Sequence, residues 1–174
     1  MDRLLILLSV ICLFVSGSCS KIDPNNCPKG YYGIDCVDQI DPKQITITKI
    51  TVTNFPIKTG NGEAFDLDGS TPDILPELEL YGGNKIIWTS NEHIDNPASQ
   101  CCIDFIPNPA ITINDPAANN GLFRFTLYDF DDGDIKQLVN FADFQLYYNS
   151  NTFPTVSHYD INGLGFTLYL SYSW

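Results

Sequence analysis

Positively charged residues are scarce in this sequence. Among 174 residues there are 9 Lys and Arg against 21 Asp and Glu, which gives a formal net charge of −12. A chain of this charge cannot neutralise a row of phosphates, so we expect no nucleic acid partner. Unaided binding to anionic lipid is disfavoured for the same reason, although a bound cation would reverse that conclusion locally.

Histidines and catalytic signatures are equally scarce. The only histidines are His93 and His158, and the sequence has no G-x-S-x-G, no H-E-x-x-H and no glycine-rich phosphate loop. The stretch NEHID (Asn91 to Asp95) matches no strong zinc motif, and a polar loop is the favoured interpretation. We therefore expect a protein that is not an enzyme. A hydrolase or accessory subunit would need a fold that brings a histidine to a nucleophile.

Long apolar runs are absent except at the N-terminus. Leu4 to Val15 is nearly all apolar but too short to span a bilayer comfortably. Arg3 precedes it, and the small residues Ser16, Gly17 and Ser18 follow it. This arrangement predicts a signal peptide over residues 1–18.

The cysteine that follows this segment suggests a lipid anchor. VSGSCSK resembles the lipobox of bacterial lipoproteins, although Ser16 stands where the family usually has Leu. In that family the signal is cut before the cysteine and the sulfur carries a diacylglycerol. The resemblance implies lipidation of Cys19, a tether over residues 19–26, and export to the bacterial cell envelope, in the outer membrane. Ordinary cleavage nearby, with Cys19 in a disulfide, is the alternative.

Cys12 lies inside the predicted signal peptide. The other cysteines of the mature chain form an even set if Cys19 is lipidated, as expected in an oxidising compartment. CPKGYYGIDC (Cys27 to Cys36) resembles the final loop of an EGF-like module. That resemblance implies a Cys27–Cys36 disulfide hairpin, followed by a linker over residues 37–44. Cys101 and Cys102 leave three possibilities open: a vicinal disulfide, one buried thiol, or cross-links to Cys27 or Cys36.

No segment shows helical periodicity over three turns, whereas many short segments alternate as strands do. Turns rich in Gly, Pro, Asn and Asp separate them, which predicts an all-β, antiparallel β-sandwich of about eight strands over residues 45–174. The parity of apolar residues shifts at Thr48-Lys49, which predicts a bulge. The candidate strands are ITITKITVT, Ile74 to Tyr81, KIIWT, CCIDFI, AITIN, Leu122 to Tyr128, Phe144 to Tyr148 and Gly165 to Ser173.

Two connections are unusually acidic. Calcium takes about six to eight oxygen ligands in a flexible shell, and alternate residues of an extended chain point the same way. The spacing Asp-x-Asp in each connection therefore suits a cation site. The first connection contains Asp66, Asp68 and Asp73, and the second contains Asp129, Asp131 and Asp134.

These two connections resemble calcium loops of C2 domains. DLDGSTPDILPELEL is similar to the first calcium loop and LFRFTLYDFDDGD to the third. The resemblance implies a C2-like sandwich that binds calcium. Its ligands would be Asp68 and Asp73 from the first loop and Asp129, Asp131 and Asp134 from the third. Asp66 is an additional candidate. The third loop is short, and TPDI stands where the family commonly has SDPY. Asp132 is expected to face away.

The sequence thus predicts a non-catalytic cell-envelope lipoprotein whose calcium-binding sandwich serves binding or adhesion. Its partner would be an extracellular or periplasmic protein or a glycan, and its membrane contact would run through the lipid anchor. The alternative is a structural surface lipoprotein in which the acidic loops are solvated turns and no metal binds, because Asp is common in turns for local reasons.

Overall fold

The computed structural model describes residues 27–82, 85–98, 101–118, 121–131, 135–147 and 152–174. The chain divides into the units Met1–Asp38 and Gln39–Trp174. The described residues form strands and turns and no helix, so this part of the chain has no helix able to cross a membrane. The expected signal peptide, Cys19 and the tether lie outside the described residues.

Eleven strands are present in the described residues. The two shortest belong to the hairpin that precedes the sandwich, and the other nine build two antiparallel sheets. The strands are β1 (Tyr31–Tyr32), β2 (Asp38–Gln39), β3 (Gln44–Asn54), β4 (Ile74–Leu80), β5 (Lys85–Thr89), β6 (Ile103–Phe105), β7 (Ile111–Asn114), β8 (Leu122–Asp131), β9 (Ile135–Gln145), β10 (Val156–Ile161) and β11 (Leu164–Ser173).

The hairpin is closed by a disulfide between Cys27 and Cys36, whose Cα atoms lie 5.3 Å apart. Strands β1 and β2 pair with each other, so pairing extends into the expected linker. Gly33 has a φ of +91°, and a Cβ there would collide with the Asp38 carboxylate. Glycine is therefore required at this turn.

The first sheet of the sandwich has the order β10-β11-β3-β6, and β7 also pairs with β3. Within β3, Ile45 and Ile47 are buried, and so are Ile50 and Val52. In the ladder with β11, Tyr169 pairs with Lys49 and the next residue, Leu170, pairs with Ile47. Thr48 is skipped, and this accommodates the change of parity. The predicted bulge is present, and it keeps both apolar pairs on the core side of the strand.

The second sheet has the order β5-β4-β8-β9, and its inner face packs on the first. The rings of Phe125 and Phe166, which come from opposite sheets, have centroids 4.6 Å apart. The Phe144 and Phe166 rings lie 5.2 Å apart. Interdigitated aromatic side chains between two antiparallel sheets define a β-sandwich, so the predicted fold class is confirmed.

Two strands differ most from the prediction. Strand β9 starts at Ile135 rather than at Phe144, and β10 was not expected. The register of β9 shifts opposite Leu127 and Tyr128, where Val139 is skipped, and this bulge breaks the alternation that marks a strand. Strand β10 is a half-exposed edge strand with polar residues, which carries little apolar pattern.

The two adjacent cysteines are bonded to each other. They lie immediately before β6, and the N–H of Cys102 donates to the carbonyl of Val52 at 2.9 Å. Of the three possibilities that the sequence leaves open, the structure contains the vicinal disulfide.

Candidate metal centre

The start of β4 and the end of β8 bring the two acidic connections together. In the ladder between these strands, Ile74 pairs with Asp129. The N–H of Asp73 donates to Oδ1 of Asp129 at 2.7 Å, and the N–H of Phe130 donates to the carbonyl of Asp73 at 2.9 Å. Strand pairing therefore fixes the second acidic segment against the end of the first.

Asp129 lies at a position of β8 that faces the core. Phe123, Phe125 and Leu127 precede it at alternate positions and are all buried. Because β8 continues beyond Tyr128, Asp129 takes the next place in this inward row, and its exposed fraction is 0%. Its Oδ1 accepts the bond from Asp73, whereas its Oδ2 is buried and has no hydrogen-bond partner among the described residues.

Two further carboxylates converge on this buried group. One oxygen each from Asp66, Asp129 and Asp131 lie within 4.8 Å of one another. Asp66 reaches this position from a tight turn, in which the N–H of Gly69 donates to its carbonyl at 3.0 Å. The hydroxyl of Ser70 lies 2.9 Å from Oδ2 of Asp66 and 2.5 Å from Oδ1 of Asp68, so it can donate to one of these carboxylates at a time.

The clustering of negative charge changes the acidity of Asp129. Burial raises the pKa of Asp129 to about 6, and the nearby carboxylates of Asp66, Asp131 and Asp73 contribute to the increase, while the N–H of Asp73 acts in the opposite direction. Burial also raises the pKa of Asp73, against the effect of the Asn96 N–H, and nearby Asp95 and Asp66 add to the increase. Groups of the protein itself therefore offset little of the negative charge on Asp129 and Asp73.

The other predicted ligands are placed differently. Asp68 accepts a hydrogen bond from the N–H of Ser70 at 2.9 Å, and bonds from Ser70 lower its pKa. It is not one of the three clustered carboxylates. Oδ1 of Asp73 accepts from the N–H of Asn96 at 2.7 Å, and its backbone N–H holds Asp129. Asp134 and Asp132 lie outside the described residues.

A third segment borders the site, although the sequence favoured a polar loop for its NEHID stretch (Asn91 to Asp95). It follows β5 and contributes Asn96, which bonds Asp73, and His93, whose ring centroid lies 4.9 Å from that of Phe130. Nε2 of His93 lies 2.9 Å from Oδ1 of Asp95. This segment lies close to the site because Ile94 pairs with Ile74. No local sequence pattern predicts that pairing.

The residues present fit a hard divalent cation. The clustered ligands are all carboxylate oxygens, which Ca²⁺ and Mg²⁺ prefer, and they come from a turn and a strand end, which suits the irregular shell of calcium. The buried Oδ2 of Asp129 lacks a hydrogen-bond donor among the described residues, and an unpaired buried carboxylate oxygen is costly. A cation at this point would complete its coordination.

No family model matches the sequence, and neither does any curated protein. Among solved structures, the chain is similar to a C2 domain of the plant protein Extended Synaptotagmin 1, with 15% identity and a TM-score of 0.37. The match covers 76% of this chain and 95% of that domain. A similarity of this size supports no conclusion about what the site binds.

Proposed function

We propose that this protein is a non-catalytic calcium-binding module that is exported and held at the bacterial cell envelope by a lipid on Cys19. The observation that carries the calcium assignment is the buried, unpartnered Oδ2 of Asp129 beside two further carboxylates. In this proposal Asp66, Asp129 and Asp131 supply oxygen ligands. Asp73 positions Asp129, and the module uses its calcium-bound form for binding or adhesion.

The distribution of cations supports a partner other than anionic lipid. Arg124 and Lys136 belong to the second sheet, and both are already paired. Nε of Arg124 lies 2.6 Å from Oδ1 of Asp143, and Nζ of Lys136 lies 3.5 Å from Oε2 of Glu77. These pairs offset the positive charge that Arg124 and Lys136 could offer to phosphate headgroups. An extracellular or periplasmic protein or glycan is the favoured partner.

Calcium is expected to raise the melting temperature of the purified full-length chain in detergent. A ligand at about one hundred times its dissociation constant stabilises a protein by about 2.7 kcal/mol, which for this size corresponds to a shift of about 10 °C. Asp131→Asn should reduce the shift because it removes a ligand charge. The measurement is thermal unfolding in a chelator and in millimolar calcium.

Asp160→Asn is the matched control, because Asp160 is exposed on edge strand β10 of the other sheet. It removes the same charge and should leave the calcium shift intact. A wild-type melting temperature that does not change with calcium would refute the calcium assignment. The acidic connections would then be solvated turns of a structural surface lipoprotein.

Lipid anchoring has a separate test. In a bacterial host, Cys19→Ser should move the protein from the membrane fraction to the soluble fraction, because the proposed acyl attachment is lost. Mass spectrometry of the wild-type N-terminus should show diacylglycerol on the cysteine. Cys12→Ser is the control, because Cys12 lies in the segment expected to be removed. An unlipidated wild-type chain would contradict this part of the proposal.

A further inference from the structure

The open edge of the sandwich between β5 and the pair β6 and β7 contains a groove with a volume of about 510 Å³. A second hollow of about 290 Å³ continues from it. Trp88, Asn91 and Asn108 line both hollows, so the two form one elongated depression around a single indole. We call this depression the edge groove.

Trp88 has a defined orientation in this groove. It pairs with Leu78 across the β4–β5 ladder, and Leu78 is fully buried in the core. Directly paired residues project to the same face of a sheet, so the indole lies on the inner face, at the edge of the sandwich. It packs partly against the core and remains partly exposed. The edge groove therefore has an aromatic wall that the fold holds in place.

The polar groups around the indole are free to bind a ligand. Asn91 and Asn108 are exposed, and their amide groups form no hydrogen bond with other described residues. Each amide can donate and accept. The carboxylate of Glu92 also lines the groove. Asp104, by contrast, already accepts from the hydroxyl of Thr51 at 2.6 Å and pairs with Lys49 at 3.2 Å.

We propose that the edge groove binds a neutral oligosaccharide. Sugar rings have an apolar face that packs on an aromatic side chain, and their hydroxyl groups both donate and accept, as the amides of Asn91 and Asn108 do. Carboxylates line the groove but neither Lys nor Arg does, which disfavours phosphorylated, sulfated or uronic acid ligands. None of the three clustered carboxylates lines the edge groove, so its ligand should bind without calcium.

The test uses the full-length chain in detergent on an array that contains neutral β-glucans, mannans, xylans and galactans beside sulfated and uronic acid glycans. A neutral oligosaccharide should bind, and the strongest one is then titrated by calorimetry in calcium and in chelator. Equal affinity in the two buffers supports the proposal, whereas binding in calcium alone would contradict it. Asn91→Ala and Asn108→Ala should each weaken binding about three- to tenfold through the loss of hydrogen bonds.

Both asparagines are exposed, so these variants should fold normally. They are preferred to Trp88→Ala, which removes packing against the core. The control is Tyr81→Ala, because Tyr81 is an exposed aromatic residue whose ring lies near Arg124, away from the groove. It should bind as the wild type does. The proposal would be overturned if no neutral oligosaccharide binds at millimolar concentration, if only charged glycans or cationic peptides bind, or if both asparagine variants retain wild-type affinity.

Discussion

Asp129→Asn should make the calcium-free protein more stable and should abolish its stabilisation by calcium. Asn can keep the bond from the N–H of Asp73, and its amide can donate to the carboxylates of Asp66 or Asp131, which the unpartnered oxygen of Asp129 cannot do. In a chelator at neutral pH, we expect the free energy of unfolding to rise by about 1–3 kcal/mol, because each unit of pKa shift corresponds to about 1.4 kcal/mol.

The same variant should change the pH dependence of stability. The pKa of Asp129 in the folded protein, about 6, exceeds its ordinary value of 3.8, so the folded state binds the proton more tightly than the unfolded state. The stabilisation contributed by protonated Asp129 is therefore complete below about pH 4 and is lost as the pH rises through 6. Asp129→Asn should approach the wild-type stability at low pH and exceed it above pH 6.

Chemical unfolding in chelator at pH 4, 5, 6 and 7.5 measures this difference, with Asp160→Asn as the exposed control. A variant that is less stable than the wild type in chelator at pH 7.5 would show that Asp129 supports the fold without an ion. A variant that still gains stability from calcium would show that Asp129 is not a ligand. A merely structural carboxylate would not make the variant more stable than the wild type in chelator and less stable than the wild type in calcium.

Phe166→Ala should be the most destabilising single change in the core. The ring of Phe166 lies between the sheets with its centroid 4.6 Å from that of Phe125 and 5.2 Å from that of Phe144, and it stacks on Tyr159 at 4.9 Å. Truncation of a buried Phe typically costs about 3–5 kcal/mol because it leaves a cavity. Many domains have a total stability of only about 5–15 kcal/mol.

Denaturant unfolding measures this effect, and Leu138→Ala is the control. Leu138 is 50% exposed, so its truncation should cost below about 1 kcal/mol. Equal losses for the two variants would contradict the assignment of Phe166 to the centre of the interface between the sheets. A calcium shift of unchanged size in both variants would show that the metal centre is retained.

The fold was largely predictable because its main strands alternate. Four of the inward residues of β3 are Ile or Val, and the change of parity at Thr48 identifies the bulge as well as the strand. β10 has no such pattern, because an edge strand with one side in solvent needs few apolar residues. Its place beside β11 follows from their ladder, which is a tertiary contact.

The candidate metal centre was predictable only in part. Asp-x-Asp spacing pointed to Asp66, Asp129 and Asp131, and these are the carboxylates that the structure brings together. The resemblance to C2 domains named Asp68 as a first-loop ligand and Asp66 only as an additional candidate. In the structure Asp66 joins the cluster, and Asp68 bonds Ser70 two residues away. The sequence could not show that Asp129 is buried, because this depends on how far β8 extends. That extension is fixed by the ladder with β9.

The position of β3 in its sheet also determines when the sandwich can form during synthesis. Thr48 bonds Tyr169 across a separation of 121 residues, and β11 is the neighbour of β3 along its whole length. At about 5–20 residues per second, a ribosome needs roughly 6 to 24 seconds to make the intervening chain. Until then one whole edge of β3 has no partner strand, so the first sheet cannot be completed. The chain therefore stays short of its folded state for that time.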